Sequence, residues 1–168
     1  MEALVRAMRS GQVQASPWLV LAGSDSAPAL TLARELGVTT RTFGPSELAQ
    51  AVLGADWLCL AGYLSLIPAV VIEQMGGRIL NIHPALLPKF GGKGMYGSHV
   101  HEAVIRSGER ESGCTVHRVT AQYDEGEIIV QLRCPVQQND TPETLAARVL
   151  ALEHKAYPMA LAQVLSDG

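Results

Sequence analysis

Arg78-Ile79-Leu80-Asn81-Ile82-His83-Pro84 is the stretch whose reading decides the fold. Gly76-Gly77 breaks the chain before it, and Pro84 withholds the backbone N–H that a longer ladder would need. Ile79, Leu80 and Ile82 put apolar side chains on both faces, the mark of a short strand covered by helices on either side. Two segments upstream carry the same signal more strongly. Trp18-Leu19-Val20-Leu21-Ala22 and Trp57-Leu58-Cys59-Leu60-Ala61 are continuously apolar and read as strands buried on both faces. Helical signals fill the intervals. Glu2–Arg9 places Leu4 and Met8 on one face. Ser26 is a suitable N-cap for a helix through Leu36, with Gly37 at the C′ position. A short strand near Thr39–Phe43 and a small helix from Ser46 to Gly54 follow. Pro68 opens a helix that ends at Gly76-Gly77. This alternation predicts an α/β fold with a doubly wound, mostly parallel sheet.

Beyond Pro84 the rhythm changes. Pro84 to Ser98 is a loop too long to be a mere connector. A helix near Val100–Ser107 precedes two strands, Cys114–Val119 and Ile128–Val136, joined by the polar segment Thr120–Glu127. Thr141-Pro142 caps a last helix striped with Leu145, Val149 and Leu152, which Pro158 is expected to bend or restart. No repeat or linker divides the chain, so residues 1–168 read as a single domain. A doubly wound sheet ordinarily begins on a strand, because its first helix is a crossover between parallel strands. This chain begins on the helix, and we expect a further strand ahead of Met1.

Composition narrows the function classes. The 168 residues carry 13 Lys+Arg against 16 Asp+Glu, a net charge of −3, with 48% apolar and only 17% charged residues. Such a chain can fold around a substantial core. It offers no run of basic residues and no basic excess for a nucleic acid. Its apolar stretches are strand-sized, well short of the ~20 residues that span a bilayer. Cys59, Cys114 and Cys134 are odd in number and lack a C-x-x-C spacing, which suits a reducing cytoplasm.

Chemistry concentrates at two places. Asn81 and His83, two residues apart on a strand, project to one side at its carboxyl end, where open α/β sheets hold ligands. An Asn amide can donate to a developing oxyanion, and a neighbouring His can donate or shuttle a proton. The plainer alternative is a polar strand terminus that turns at Pro84. In Tyr123-Asp124-Glu125-Gly126-Glu127 an acid can face His83, raise its pKa and orient its ring, or simply belong to a solvated turn. Gly92-Lys93-Gly94-Met95-Tyr96-Gly97 matches G-x-G-x-x-G by letter but follows no strand, and its glycines suit a lid better than a dinucleotide site. His99 and His101, with His83 and Asp124, would make up four metal ligands, without any supporting zinc motif. His117 reads as a structural residue within a strand.

Leu80-Asn81-Ile82-His83-Pro84-Ala85-Leu86-Leu87-Pro88-Lys89-Phe90, then Gly113-Cys114-Thr115-Val116-His117 and Asp124-Glu125-Gly126-Glu127-Ile128-Ile129, resembles the glycinamide ribonucleotide formyltransferase family. The resemblance runs in order from about Glu2 to Leu165, and Leu60–Ser65 and Glu153-His154 add to it. It implies a formyltransferase fold and transfer of the formyl group of 10-formyltetrahydrofolate, a co-substrate, to the amine of glycinamide ribonucleotide in de novo purine (IMP) biosynthesis. By position it implies Asn81, His83 and Asp124 as the catalytic trio. Leu64, Ser65, Leu66, Ile67, Asn81, Thr120, Ala121, Gln122 and Tyr123 would line the folate pocket, and Glu153 would contact the glycinamide end of the nucleotide. No metal is implied; the partners are small molecules, and the protein is a monomer or homodimer without nucleic-acid or membrane ligands. The family's first strand and its Gly/Ser/Asn-rich phosphate loop would precede Met1, so residues 1–168 are expected to be a formyltransferase domain truncated at its N-terminus. The region between Phe43 and Trp57 is shorter than in many relatives. Two alternatives stay open. One is another formyltetrahydrofolate-using enzyme, acting on methionyl-tRNA, a sugar amine or water, although 168 residues leave no room for the added domain a tRNA substrate needs. The other is a non-catalytic folate- or nucleotide-binding remnant.

Overall fold

The computed structural model describes residues 1–44 and 46–167. The elements follow as α1 (Glu2–Arg9), β1 (Leu19–Ala22), α2 (Pro28–Glu35), β2 (Thr39–Thr42), α3 (Leu48–Ala51), β3 (Leu58–Leu60), α4 (Ala69–Met75), β4 (Ile79–His83), α5 (Ser98–Arg106), β5 (Glu111–Arg118), β6 (Ile128–Pro135) and α6 (Pro142–Ser166). The expected α/β alternation is present. β1 and β2 pair in parallel, as do β3 and β4. β5 then joins β4 antiparallel and β6 joins β5 antiparallel, giving a four-stranded order β3-β4-β5-β6. None of the helices described is long and apolar enough to cross a membrane.

Side-chain alternation on β4 assigns its two faces. Leu80 belongs to a core with Cys114 and Val116 of β5 and with Leu145, Val149, Tyr157 and Leu161 of α6. Ile79 belongs to a second core with Leu60, Ile67, Val71 and Met75. Asn81 and His83 share the parity of Ile79, so they stand on the face turned away from Leu80. Register then brings Asn81 opposite His117 and His83 opposite Thr115. The Thr115 hydroxyl donates to the Ala85 carbonyl (2.6 Å) and accepts from the Leu87 N–H (3.1 Å), which pins the chain immediately after His83.

Several local expectations change. Ser26 does not cap α2: the helix starts at Pro28 with Ala27 as N-cap, and the Ser26 hydroxyl pairs with that of Ser24 instead. Proline at the first helical position, whose φ is already helical, sets this later start. α6 runs unbroken through Pro158, which lies buried between Tyr157 and Ala160 packing positions. Tertiary packing on that face outweighs the missing hydrogen bond. β1 is half-exposed at all four residues, and Trp18 just before it is 53% exposed. The reason is topological. Among the described residues β1 pairs only with β2 and β3 only with β4, so the two sheets keep separate edges.

α6 is locked at both ends of its first half. Thr141 and Thr144 exchange side-chain-to-backbone hydrogen bonds in a capping box, and Arg148 grips Asp140 with two hydrogen bonds of 2.6 and 2.8 Å. That grip holds the Asp140 carboxyl far below the usual carboxylate range. Further along, the buried Tyr157 hydroxyl lies 2.8 Å from the Leu60 carbonyl and 3.0 Å from the Leu80 carbonyl, tying α6 to both β3 and β4. Tyr157→Phe removes this tie without changing shape. Its expected effect is a loss of about 1–2 kcal/mol in urea unfolding with an unchanged m-value.

Candidate active site

His83 closes β4 with its ring 4% exposed. Its Nε2 donates to the Phe90 carbonyl at 2.7 Å, and its Nδ1 faces the Asp124 Oδ2 at 3.6 Å. Across the ladder, His117 Nδ1 donates to the Arg118 carbonyl (2.8 Å). The Asn81 amide nitrogen lies 3.2 Å from His117 Nε2. The same Nε2 lies 3.5 Å from Asp124 Oδ1. Asp124 thus stands between two imidazoles, and the Gly92 N–H donates to its Oδ2 at 2.9 Å.

Backbone conformation makes this convergence possible. Phe90 (φ 57°) and Asp124 (φ 55°) are the two non-glycine residues with left-handed backbone among those described, and both serve the site. Such strain persists only where the surroundings over-determine it. At Phe90 it turns the carbonyl towards His83. Glycine is required beside both. A Cβ on Gly91 would lie 2.6 Å from Leu87 Cδ2 and 3.2 Å from Asp124 Cβ, and one on Gly126 would overlap the Arg118 carbonyl oxygen.

Burial pushes the His83 pKa down, and the Asp124 charge and Phe90 carbonyl only partly restore it. The resting ring is therefore neutral, whereas the sequence suggested an imidazolium held by Asp124. Burial also works against the Asp124 carboxylate, but the His117 ring, the Gly92 N–H and His83 outweigh it and hold that pKa below the ordinary range.

The remaining sequence-derived residues fall into two groups around this centre. Leu64 and Leu66, 58% and 47% exposed, flank the exposed Ser65 in the loop after β3, while Ile67 is buried. Thr120, Ala121 and Gln122 are exposed and Tyr123 is half-buried in the loop after β5. Tyr63 and Val119 pack on the same core, which holds the two loops beside the end of β4. On the other side of Pro84 lies a cavity of about 410 Å³ that Pro84, Ser98, His101, Pro142 and Glu153 help to line. Burial pushes the Glu153 pKa up.

The four-ligand metal set is not assembled: His99 is exposed and packs at a tilt against Tyr96, while His101 is buried. No group of three or more His, Cys, Asp or Glu among the described residues is placed to hold a metal ion. The Gly91–Gly97 segment, whose glycines suit a lid, meets the site through the Gly92–Asp124 bond at its start. His117 is the site residue that sequence reasoning left aside as structural. The signal that finds it is strand register, since an antiparallel partner of β4 places it opposite Asn81.

The formyl transferase family model matches residues 1–161. Over 138 residues the chain is 49% identical to the chloroplastic phosphoribosylglycinamide formyltransferase of Arabidopsis thaliana, covering 81% of this chain and 47% of that protein. The chain therefore spans less than half of that relative. Against the phosphoribosylglycinamide formyltransferase of Escherichia coli K12 the identity is 30%, over 100% of this chain and 82% of the bacterial one. The crystal structure of glycinamide ribonucleotide transformylase 1 from Symbiobacterium toebii matches with a TM-score of 0.89 and 36% identity, covering 96% of this chain and 79% of that one.

Asp124→Asn keeps the shape and tolerates the left-handed backbone while removing the charge. The His83 titration midpoint, followed by NMR, is expected to fall further, and an unchanged midpoint would separate the two residues electrostatically. The linked stability has a definite sign. His83 titrates lower folded than unfolded, so protonation of the unfolded chain erodes stability as pH drops below ~6.5. Asp124, depressed in the fold, stabilises above ~4 and loses that contribution as pH falls through its folded pKa.

Proposed function

The chain belongs to the formyl transferase family, and from that premise we propose that it transfers the formyl group of 10-formyltetrahydrofolate to the amine of glycinamide ribonucleotide, a step of de novo purine biosynthesis. The observation that carries this reading is the placement of His83, its Nε2 committed to Phe90 and its Nδ1 facing the Asp124 carboxylate beside the Asn81 amide. Amine attack on the formyl carbon puts negative charge on the formyl oxygen and positive charge on the attacking nitrogen. The Asn81 amide carries two hydrogens, and one of them serves the oxyanion. His83 accepts the amine proton at Nδ1, where Asp124 stabilises the imidazolium that forms. The proton then passes to the departing folate nitrogen, and the C–N bond to the folate breaks. No electron is gained or lost, and the reading assigns no role to a metal.

The exposed apolar rim of Leu64 and Leu66, with Ser65, Ile67, Thr120, Ala121, Gln122 and Tyr123, suits the flat folate heterocycle. Glu153 suits the amine-bearing end of the nucleotide, across Pro84. Among the described residues β1 and β3 each keep one edge unpaired, which suits one further strand between them. In this reading residues 1–168 act as one formyltransferase domain, as a monomer or homodimer in the cytoplasm.

Assay with both substrates tests the proposal. The expected product is formylated glycinamide ribonucleotide in step with released tetrahydrofolate. Folate release without the nucleotide would make water the acceptor, and no turnover with retained folate binding would mark a binding remnant. Asn81→Ala is expected to lower turnover ~10²–10³-fold and His83→Ala ~10²–10⁴-fold, with circular dichroism unchanged. The acid limb of kcat/KM should lie below ~6.5, the ordinary histidine value. Near-normal turnover in either variant would remove that residue from the mechanism.

A further inference from the structure

The cavity beyond Pro84 contains a residue that the proposed reaction has not used. His101 of α5 is 5% exposed, and its Nδ1 is sealed from solvent without a hydrogen-bond partner. Buried N–H groups without partners are rarer in proteins than under-satisfied acceptors, so the proton of a neutral ring belongs on Nε2. Neutrality follows from the surroundings: burial pushes the His101 pKa down, and His83 pushes it the same way. With Nδ1 shut away, Nε2 is the nitrogen left to meet the cavity that the residue lines.

The rest of that cavity wall is largely apolar or small: Pro84, Pro142, Ala146, Ala147 and Leu150. Glu153 is half-buried in the same wall, and Glu143 lies exposed at its edge. A few convergent polar groups on an apolar wall fix the orientation of a ligand. Here the less exposed of them, His101 and Glu153, offer one N–H donor and one carboxyl group, a pair that matches a carbonyl oxygen next to an amine. Pro84 follows His83 directly, so a molecule seated in the cavity with its amine towards Pro84 lies one residue from the acid–base group.

We propose that His101 is a substrate-positioning residue that donates its Nε2–H to the carbonyl oxygen beside the attacking amine, fixing that amine towards His83 while Glu153 holds the nitrogen side. This inference rests on the proposed formyl transfer and deepens it, since it says how the acceptor is told apart from water. Water has no carbonyl to take the bond.

Three substitutions test it. His101→Gln carries an amide N–H to about the position of Nε2, His101→Asn carries one only to about that of Nδ1, and His101→Leu carries none. The Asn and Leu variants are expected to raise the KM for glycinamide ribonucleotide about threefold to tenfold, the worth of one neutral hydrogen bond. The KM for 10-formyltetrahydrofolate should stay unchanged, and the Gln variant should stay near the parent protein. Calorimetric titration with glycinamide ribonucleotide should give the same order without turnover. If His101→Leu fails to fold, the Gln and Asn pair still decides. Equal nucleotide affinity in Gln and Asn variants of an enzyme that does turn over would overturn the inference and leave formyl transfer standing. A parent protein that neither binds nor formylates the nucleotide would overturn both. Nitrogen-15 NMR gives an independent reading, because a proton found on Nδ1 rules the donor out.

Discussion

A carboxylate taken out of bulk water must find donors or lose its charge, and Asp124 keeps its charge with one N–H donor from a loop and two imidazoles beside it on neighbouring strands. The Gly92 N–H reaches it from the segment after β4. His83 and His117 reach it from the two antiparallel strands whose register faces Asn81 with His117. Each partner requires something of the backbone. Gly92 arrives only because Phe90 turns left-handed and Gly91 has no side chain to strike Leu87 and Asp124. Asp124 is itself left-handed, and Gly126 shortly after it lies against the Arg118 carbonyl. The strain in this part of the chain is gathered around one charge.

Two effects compete at His83, and the outcome determines how the site works. Burial favours the neutral ring, while Asp124 and the Phe90 carbonyl both favour the imidazolium. Burial wins at rest. An imidazole already protonated could not take the amine proton, so a neutral ring next to a fixed carboxylate is the more useful starting state. Asp124 then contributes most when the ring becomes charged, which is where differential stabilisation lowers a barrier. Its 3.6 Å separation from Nδ1 fits that part: too long for a resting hydrogen bond, close enough for strong attraction once a proton arrives.

What was legible in the sequence was mostly local. Gly76-Gly77 and Pro84 bracket β4, and the two-residue spacing of Asn81 and His83 puts both on one face whatever the neighbours are. The role of His117 depends on a partner 36 positions away, so periodicity within its own strand could not reveal it. Burial of β1 was misjudged for a related reason. Leu19-Val20-Leu21-Ala22 reads the same whether helices and strands cover it or one edge stays open, and only the observed pairing separates those cases. The metal reading of His99 and His101 failed on geometry that the sequence did contain. Residues two apart on a helix point to nearly opposite sides, and here one ring is exposed while the other is buried. Ser26 against Pro28 was a contest between two helix-start signals, which proline won because its φ is fixed before folding begins.

The distribution of polar groups along α6 explains how one helix relates the core to the cavity. The Thr141 box and the Arg148–Asp140 pair fix where the helix begins. Tyr157 fixes its depth, because its hydroxyl meets carbonyls of both β3 and β4. Glu153 lies one turn earlier on the same face, about 6 Å along the axis. Its place in the cavity is therefore set by hydrogen bonds it does not make itself. An acid on a loop could reach the same cavity, but it would carry the freedom of its backbone into every encounter with an amine. On α6 the position is fixed before any ligand arrives, and the burial that raises its pKa comes from the same packing.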